Sequence, residues 1–290
     1  MKNLSGQTLP FAVLGHPIGH TLSPIMHNAA FEELGMDAVY LAFDVHPEKL
    51  MNVLNAMSAM NFKGVNLTVP LKEVAFKGLN NIAPSAKMLG AVNTIQFLPD
   101  GTLIGHNTDG IGFLLAVNEA FSTKVNGLKI FIIGTGGAGR AIAITCAIEN
   151  ASEITLADID EQKAQKVAKE IALIAPTVKT ICMPSNHAAW KETSLKADLI
   201  VQSTPVGMKR DDPPILPPDC FKKGQMAFDL VYMYPETSFM KAAKAGGAIT
   251  ANGLGMLLHQ GAAAFTIWTG KPAALSAMRK ALEKSVYGNT

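Results

Sequence analysis

The sequence has few cysteines, no marked excess of either charge and no long apolar run. Its three cysteines, Cys146, Cys182 and Cys220, are far apart and lack metal-ligand spacing, which argues against a disulfide framework and a structural zinc site. The formal net charge is only +2, and a chain so balanced has no basic surface typical of nucleic-acid or membrane binding. Arg140 and several glycines interrupt the most apolar stretch, residues 130–148, so no membrane span is predicted.

The length and the amino terminus set further expectations. With 290 residues, the chain is long enough for two domains. Residues 1–10 contain no apolar core of the kind that a signal peptide needs, which predicts a cytoplasmic protein. The expected partners exclude nucleic acid and membrane, while a monomer and a homodimer both stay open.

The first half of the chain alternates strand and helix patterns, which predicts an α/β fold. Residues 11–15 and 38–45 have the pattern of strands, and residues 47–60 that of a helix. Ser23 is predicted to cap the first helix, with Pro24 at its first position.

Lys72 closes a segment whose pattern predicts a strand end. The apolar residues Val65, Leu67 and Val69 alternate with polar ones, and Pro70 follows. A cation is therefore expected at a strand terminus, where α/β proteins place their chemistry. Asp109, in a later polar cluster, is the carboxylate expected to meet it.

A glycine-rich turn in the second half predicts a dinucleotide site. The glycines Gly134, Gly136 and Gly139 follow the apolar strand 130–133 and precede a helix. This arrangement lets backbone amides reach a pyrophosphate at a helix N-terminus. Asp158 ends the next strand, where a carboxylate binds the ribose diol and repels a 2′-phosphate. The pattern favours NAD as cofactor, with NADP the less favoured choice.

Seven blocks of sequence, in order, resemble the shikimate dehydrogenase family, and the resemblance runs almost end to end. The blocks are residues 14–24, 64–72, 90–94, 105–110, 134–140, 229–235 and 252–260. The resemblance implies a mixed α/β substrate domain at 1–110, completed by helices in 259–290. It also implies a Rossmann domain with a doubly wound parallel sheet at 111–258, and an active-site cleft between the two.

The same resemblance assigns roles to individual residues. It implies that Lys72 and Asp109 are catalytic. The implied substrate contacts are Thr21, Ser23, Asn66, Thr68, Asn93, Tyr232 and Gln260. The implied cofactor contacts are Gly134, Gly136, Gly137, Ala138, Gly139, Asp158, Leu230, Gly253 and Met256. No metal site is expected, because the histidines fit no ligand spacing.

The chemistry of these residues fits a polyhydroxy cyclohexene carboxylate, since hydroxyl and amide side chains bind hydroxyl groups. A lysine ammonium can protonate the alkoxide that hydride transfer creates. Other roles stay open from sequence alone: Ser23 as a helix cap, Tyr232 as a core aromatic and Gln260 as a surface residue.

Two departures from the family pattern bear on specificity. Thr21 stands where the family usually has serine, which leaves the tolerated ring substituents open. Asp158 and Ile159 replace an asparagine–arginine pair, which favours an NAD-linked enzyme acting on shikimate, quinate or both. The alternatives are a dehydrogenase of a modified ring such as aminoshikimate, and a non-catalytic dinucleotide sensor on the same fold.

Overall fold

The computed structural model describes residues 4–288. The chain divides into two compact units, residues 1–112 with 257–290, and residues 113–256. Both boundaries fall inside helices. Residues 1–3, on which part of the expectation for residues 1–10 rests, and residues 289–290 lie outside the described part.

Each unit contains a six-stranded sheet. The strands of the first unit are β1 Leu9–Gly15, β2 Ala38–Asp44, β3 Gly64–Leu67, β4 Asn81–Ile82, β5 Thr94–Phe97 and β6 Leu103–His106. Those of the second are β7 Lys129–Ile133, β8 Glu153–Ala157, β9 Lys179–Met183, β10 Leu199–Gln202, β11 Met226–Asp229 and β12 Ile249–Asn252.

Helices connect most of these strands. In chain order they are α1 Ser23–Glu33, α2 Leu50–Ala59, α3 Leu71–Gly78, α4 Pro84–Leu89, α5 Asp109–Phe121, α6 Gly137–Ile148, α7 Glu161–Ile174, α8 His187–Lys196, α9 Ser238–Ala245, α10 Leu254–Thr269 and α11 Leu275–Tyr287. Two 3₁₀ turns, Pro47–Lys49 and Pro218–Cys220, complete the set. No helix within residues 4–288 is long and apolar enough to cross a membrane.

The first sheet is mixed, with strand order β2-β1-β3-β5-β6-β4. Strands β1, β2 and β3 are parallel, whereas β5 is antiparallel to both β3 and β6. The turn between β5 and β6 contains Pro99-Asp100-Gly101, a sequence typical of hairpins. A core of aliphatic side chains, including Leu14, Leu54, Val65 and Leu71, lies under the sheet.

The second sheet is parallel throughout, in the order β12-β11-β10-β7-β8-β9. In this doubly wound order the chain starts at β7 near the middle of the sheet, adds β8 and β9 on one side and then adds β10, β11 and β12 on the other. Apart from its exposed first residue, Lys129, strand β7 is apolar and buried, as parallel strands covered on both faces require. The structure confirms the predicted α/β class with a Rossmann-type second unit.

Candidate active site

Lys72 lies in the first turn of helix α3 rather than at a strand terminus. Strand β3 ends at Leu67, and the amide of Leu71 donates to the carbonyl of Thr68 at 2.8 Å, which turns the chain into the helix. The predicted alternation is also wrong, because β3 is buried on both faces while Val69 is 69% exposed. The segment is a short core strand followed by a helix.

Lys72 forms an ion pair with Asp109, which is the first residue of helix α5. The distance from Lys72 Nζ to Asp109 Oδ2 is 2.6 Å, and the side chains are 22% and 9% exposed. The structure thus brings the two predicted catalytic residues into direct contact, in a site mostly shielded from water.

Asn93 holds the other oxygen of this carboxylate. Its Nδ2 donates to Asp109 Oδ1 and to Thr108 Oγ1, both at 2.9 Å, and lies 3.5 Å from Gln260 Oε1. Its Oδ1 accepts from the backbone amide of Thr108 at 2.9 Å. Since a backbone N–H can only donate, this bond fixes the orientation of the Asn93 amide.

Asn107 supports Asp109 from the backbone side, a role that the sequence pattern does not indicate. Its Oδ1 accepts from the amide of Asp109, and its Nδ2 donates to the carbonyl of Ala91, each at 2.9 Å. The turn that places the carboxylate is therefore closed by a buried side chain. An asparagine two residues before a helix start is the signal that could have found it.

Asn66 is buried beside this group. Its Nδ2 donates to the carbonyl of Asn93 and to Thr94 Oγ1, both at 3.1 Å. Its Oδ1 accepts from the hydroxyl of Tyr40 at 2.7 Å. Asn66, Asn93 and Asp109 thus belong to one hydrogen-bonded cluster that ends at Lys72.

Three further residues implied as substrate contacts lie in the first unit. Ser23 is buried and is the first residue of α1, whose N-cap is Leu22. The predicted capping role of Ser23 is therefore wrong. Thr21 Oγ1 accepts from the amide of Ser23 at 3.3 Å. Thr68 is half-buried in the turn before α3.

The glycine-rich turn between β7 and α6 has the form of a phosphate cradle. Gly134 has a φ of +93°, and a Cβ on Gly139 would meet the carbonyl oxygen of Gly134 at 2.0 Å. Gly136 and Gly137 are exposed, and a Cβ on either would meet nothing within 4 Å. The start of α6, where Gly136 and Gly137 precede Ala138, thus leaves open space beside both glycines, which fits a pyrophosphate approaching a helix N-terminus.

Asp158 follows β8 directly and is anchored to this turn. Its Oδ2 accepts from the amide and hydroxyl of Thr135, at 2.6 and 2.8 Å, and its Oδ1 accepts from the amide of Asp160 at 3.0 Å. Burial by itself would raise the pKa of Asp158, but these hydrogen bonds outweigh it and lower the pKa. The group is a carboxylate with acceptor capacity left on Oδ1.

The remaining implied contacts also lie in the second unit. Leu230 follows β11, and a Cβ on Gly253 would lie 2.1 Å from its carbonyl oxygen. Met256, in the first turn of α10, is buried. Tyr232 is half-buried, and burial raises the pKa of its hydroxyl. Within residues 4–288, no group of three or more His, Cys, Asp or Glu side chains could hold a metal ion.

Comparison with known proteins identifies the family. The model of the shikimate dehydrogenase substrate binding domain matches residues 13–95, and that of the shikimate 5′-dehydrogenase C-terminal domain matches residues 253–283. A curated shikimate dehydrogenase (NADP(+)) from Methanothermobacter thermautotrophicus is 39% identical over 286 residues, covering 97% of this chain and 98% of the relative. The chain belongs to the shikimate dehydrogenase family.

Solved structures of the family extend this result. Shikimate 5-dehydrogenase from Listeria monocytogenes, in complex with shikimate and NAD, has a TM-score of 0.90 at 35% identity and covers 97% of this chain and 99% of its own. Quinate dehydrogenase from Corynebacterium glutamicum, in complex with NAD, has a TM-score of 0.87 at 29% identity and covers 94% and 98%. The names of these relatives therefore include shikimate, NAD and NADP.

Proposed function

We propose that this protein interconverts shikimate and 3-dehydroshikimate, with a nicotinamide dinucleotide as the hydride carrier. The first unit binds the ring and the second binds the cofactor. The observation that carries the proposal is the shielded contact between Lys72 and Asp109, joined by Asn93 in a chain that belongs to this family. A dinucleotide-binding protein without catalysis would have no need of such a pair.

Lys72 handles the proton of the reacting hydroxyl. Its ammonium has three donor hydrogens, of which one is directed to Asp109, so that two can point at the substrate. In reduction the ammonium stabilises the developing alkoxide and donates a proton to it; in oxidation the neutral amine takes the proton back. Asp109 holds the Lys72 side chain in place and is itself held by Asn93 and Asn107. The bound dinucleotide accepts or donates the hydride.

The polar side chains around the pair suit a ring with several hydroxyl groups and a carboxylate. Ser23 and Thr21 offer hydroxyl donors at the start of α1, and Thr68 offers another before α3. Asn93 and Gln260 present amides beside Asp109. We assign the ring carboxylate to the α1 end and the reacting hydroxyl to Lys72.

We further propose that NAD is preferred over NADP, even though the Methanothermobacter relative carries NADP(+) in its name. Asp158 presents a carboxylate where a 2′-phosphate would need a cation, and its neighbour Ile159 is 88% exposed. The nearest arginine in sequence, Arg140, is bound to Glu170, with 2.7 Å between Arg140 Nε and Glu170 Oε2. Lys163 lies 3.6 Å from the carboxylate of Asp160.

Quinate is the second substrate that we propose. The quinate dehydrogenase of Corynebacterium glutamicum has the same fold at 29% identity. Quinate carries one more ring hydroxyl than shikimate, and the Thr21 hydroxyl lies beside the amide of Ser23, where the ring carboxylate is assigned. We therefore expect quinate to be oxidised, with shikimate the better substrate.

One assay matrix tests these proposals. Shikimate and quinate are each offered with NAD and with NADP, and reduced nicotinamide is measured by its absorbance. We expect the highest kcat/KM for shikimate with NAD. No reduction in any combination, with the dinucleotide still bound in calorimetry, would favour the dinucleotide sensor instead.

Lys72→Met should lower kcat for shikimate by about 10²- to 10⁴-fold, which is the usual contribution of a general acid–base group. Shikimate should still bind, because the hydroxyl and amide contacts remain. Steady-state kinetics and calorimetric binding measure the two effects separately. Lys77→Met, on the exposed side of the same helix, is the matched control and should leave both unchanged. Near-normal turnover in Lys72→Met would remove Lys72 from the mechanism.

The double substitution Asp158→Asn with Ile159→Arg should shift the preference towards NADP. It removes the carboxylate that repels a 2′-phosphate and adds a cation at a position that is 88% exposed. We expect the ratio of kcat/KM for NAD to that for NADP to fall by at least about tenfold, which corresponds to one charge-assisted hydrogen bond. An unchanged ratio would show that other contacts select the cofactor.

A further inference from the structure

Tyr40 is a fully buried tyrosine whose hydroxyl points at the substrate site. It lies on β2, the edge strand, and its side chain reaches across β1 to donate to Asn66 Oδ1 on β3 at 2.7 Å. Burial raises the pKa of Tyr40 well above its ordinary value, and the Ser23 side chain partly offsets that rise. The Tyr40 hydroxyl therefore bonds one residue assigned to the substrate, Asn66.

The direction of every hydrogen bond from Tyr40 to Asp109 is fixed by backbone groups. The carbonyl of Asn93 can only accept, so the Asn66 Nδ2 must be the donor in their 3.1 Å bond. The Asn66 Oδ1 then faces Tyr40, which must donate to it. At the other end, the Thr108 amide fixes the Asn93 side chain, whose Nδ2 therefore donates to Asp109. One continuous set of bonds joins Tyr40 to the catalytic pair.

This bonding leaves Asn66 with a single role towards a substrate. Both Nδ2 hydrogens are directed within the protein, to the Asn93 carbonyl and to Thr94 Oγ1. One acceptor position on Oδ1 is filled by Tyr40. The other makes no hydrogen bond within residues 4–288, although Asn66 lies close enough to His27 to affect its pKa. Asn66 can therefore accept a hydrogen bond from a ring hydroxyl but has no hydrogen left to donate.

Two neighbouring residues of α1 hold Tyr40 in place. The Asn28 side chain of α1 bonds both backbone groups of Tyr40, accepting from its amide and donating to its carbonyl, each at 2.9 Å. The ring stacks on His27, with 4.3 Å between ring centroids and an interplanar angle of 11°. A hydroxyl fixed this firmly can set the position of a neighbouring amide.

We propose that Tyr40 is a positioning residue of the substrate site, which holds the Asn66 amide so that its remaining Oδ1 acceptor faces a ring hydroxyl. The proposal rests on the function proposed above, since it names a residue that acts through an assigned substrate contact. Tyr40 itself touches neither the ring nor the cofactor in this assignment.

The Tyr40→Phe variant tests it, because only the hydroxyl is removed. The Asn66 Oδ1 then loses the hydrogen bond from the Tyr40 hydroxyl. We expect the KM for shikimate to rise about tenfold, which corresponds to the loss of one buried hydrogen bond, while kcat stays within about threefold. In the Asn66→Ala background the same change should add nothing, since a residue acting through Asn66 has no effect once Asn66 is gone. Ser194→Ala, which deletes a buried hydroxyl in the second unit, is the control and should leave KM unchanged.

Thermal unfolding is measured on each variant, so that a structural effect is seen separately from the change in KM. Asn28→Ala, which keeps the hydroxyl but frees the strand, should raise KM less and in the same direction. An unchanged KM in Tyr40→Phe, or additive effects of Tyr40→Phe and Asn66→Ala, would overturn the positioning role while the dehydrogenase function stands. A protein that oxidises no shikimate at all would overturn both.

Discussion

Lys72 and Asp109 each lie at the N-terminal end of a helix, and the helix dipole there acts in opposite ways on a cation and on a carboxylate. Asp109 begins α5, where the helix dipole stabilises a carboxylate, whereas Lys72 lies in the first turn of α3, where the dipole disfavours a cation. The direct contact between them offsets this cost for Lys72. The ion pair therefore keeps the Lys72 ammonium at a helix end that by itself disfavours a cation. We expect Lys72 to depend on Asp109 for its position.

At the same scale, His27 gives the first unit a predicted dependence on pH. Burial lowers the pKa of His27 from 6.5 to about 3, against a smaller opposing effect of Asn66. Between these values the unfolded chain binds a proton that the folded chain does not. The free energy of unfolding therefore falls as the pH is lowered from 6.5 towards 3, by up to about 1.4 kcal/mol per pH unit.

Urea unfolding at pH 7 and pH 5 measures this term. Between pH 7 and pH 5, the free energy of unfolding of His27→Phe should fall by about 2 kcal/mol less than that of the unmodified protein. The exposed His46→Gln is the matched control and should keep the full loss. Burial raises the pKa of Asp229 to about 6, so the contribution of Asp229 to the free energy of unfolding rises as the pH falls. This contribution is the same in all three proteins. Equal losses in His27→Phe and the unmodified protein would contradict the assignment.

The sequence predicts the contact between Lys72 and Asp109 but not all of the residues that hold it. Lys72 and Asp109 lie in recognisable motifs, whereas Tyr40 is 26 residues from its partner Asn66 and looks like an ordinary strand aromatic. Hydrogen bonds between residues distant in sequence depend on strand order and register, which local patterns do not contain. The predicted capping role of Ser23 is wrong for a related reason. Pro24 is tolerated at either of the first two helical positions, so the local pattern allows α1 to begin at Ser23 or at Pro24.

At the scale of elements, the turn between β7 and α6 separates two effects of glycine. Gly136→Ala adds a methyl group where the protein leaves open space, so the stability should be unchanged. The same methyl group lies where a pyrophosphate would approach the backbone. The Kd for NAD should therefore rise by about ten- to a hundredfold, which is the value of one charge-assisted hydrogen bond.

Gly139→Ala is the contrasting variant. Its Cβ would lie 2.0 Å from the carbonyl oxygen of Gly134, so the turn and helix must move apart. We expect a loss of about 1–3 kcal/mol in the free energy of unfolding, as for other overpacked sites. Calorimetry for NAD and denaturant unfolding give both quantities for both variants. A Gly136→Ala protein that binds NAD normally would contradict the proposed cradle.

The sequence predicts the two buried strands that flank the glycine-rich turn, the one at 130–133 and the one before Asp158, but not the two edge strands of this sheet. Strands β9 and β12 lie at opposite edges, and their residues are only partly buried. A strand covered on one side needs no continuous apolar run, so its pattern is weak. The predicted end of β3 was too late because Val69 continues the alternation after the chain has left the sheet.

For the whole molecule, the last helices belong to the first unit. Residues 257–290 return to it, and α11 packs on α1 through buried residues such as Met278 and Leu282. Trp268 of α10 donates from Nε1 to the carbonyl of Ile95 at 2.9 Å. The first unit is thus completed by residues that follow the whole second unit in sequence.

Leu282→Ala should destabilise the first unit alone. The cavity left by a fully buried leucine costs about 2–5 kcal/mol. Hydrogen exchange followed by mass spectrometry should show faster exchange in α1 and α11, with the parallel sheet of residues 129–252 unchanged. Lys284→Ala, exposed on the same helix, is the control and should alter neither. Equal loss of protection in both units would mean that they unfold together.

The two hydrogen bonds between Asn28 and Tyr40 also cover part of the open edge of the first sheet. Strand β2 ends its sheet and exposes Leu41 and Phe43 by 45% and 40%, a combination that invites another strand to add. At Tyr40 the side chain of Asn28 already fills both backbone positions that such a strand would use. The single side chain of Asn28 therefore closes one pairing position of the open edge, on a strand that also exposes two apolar side chains to water.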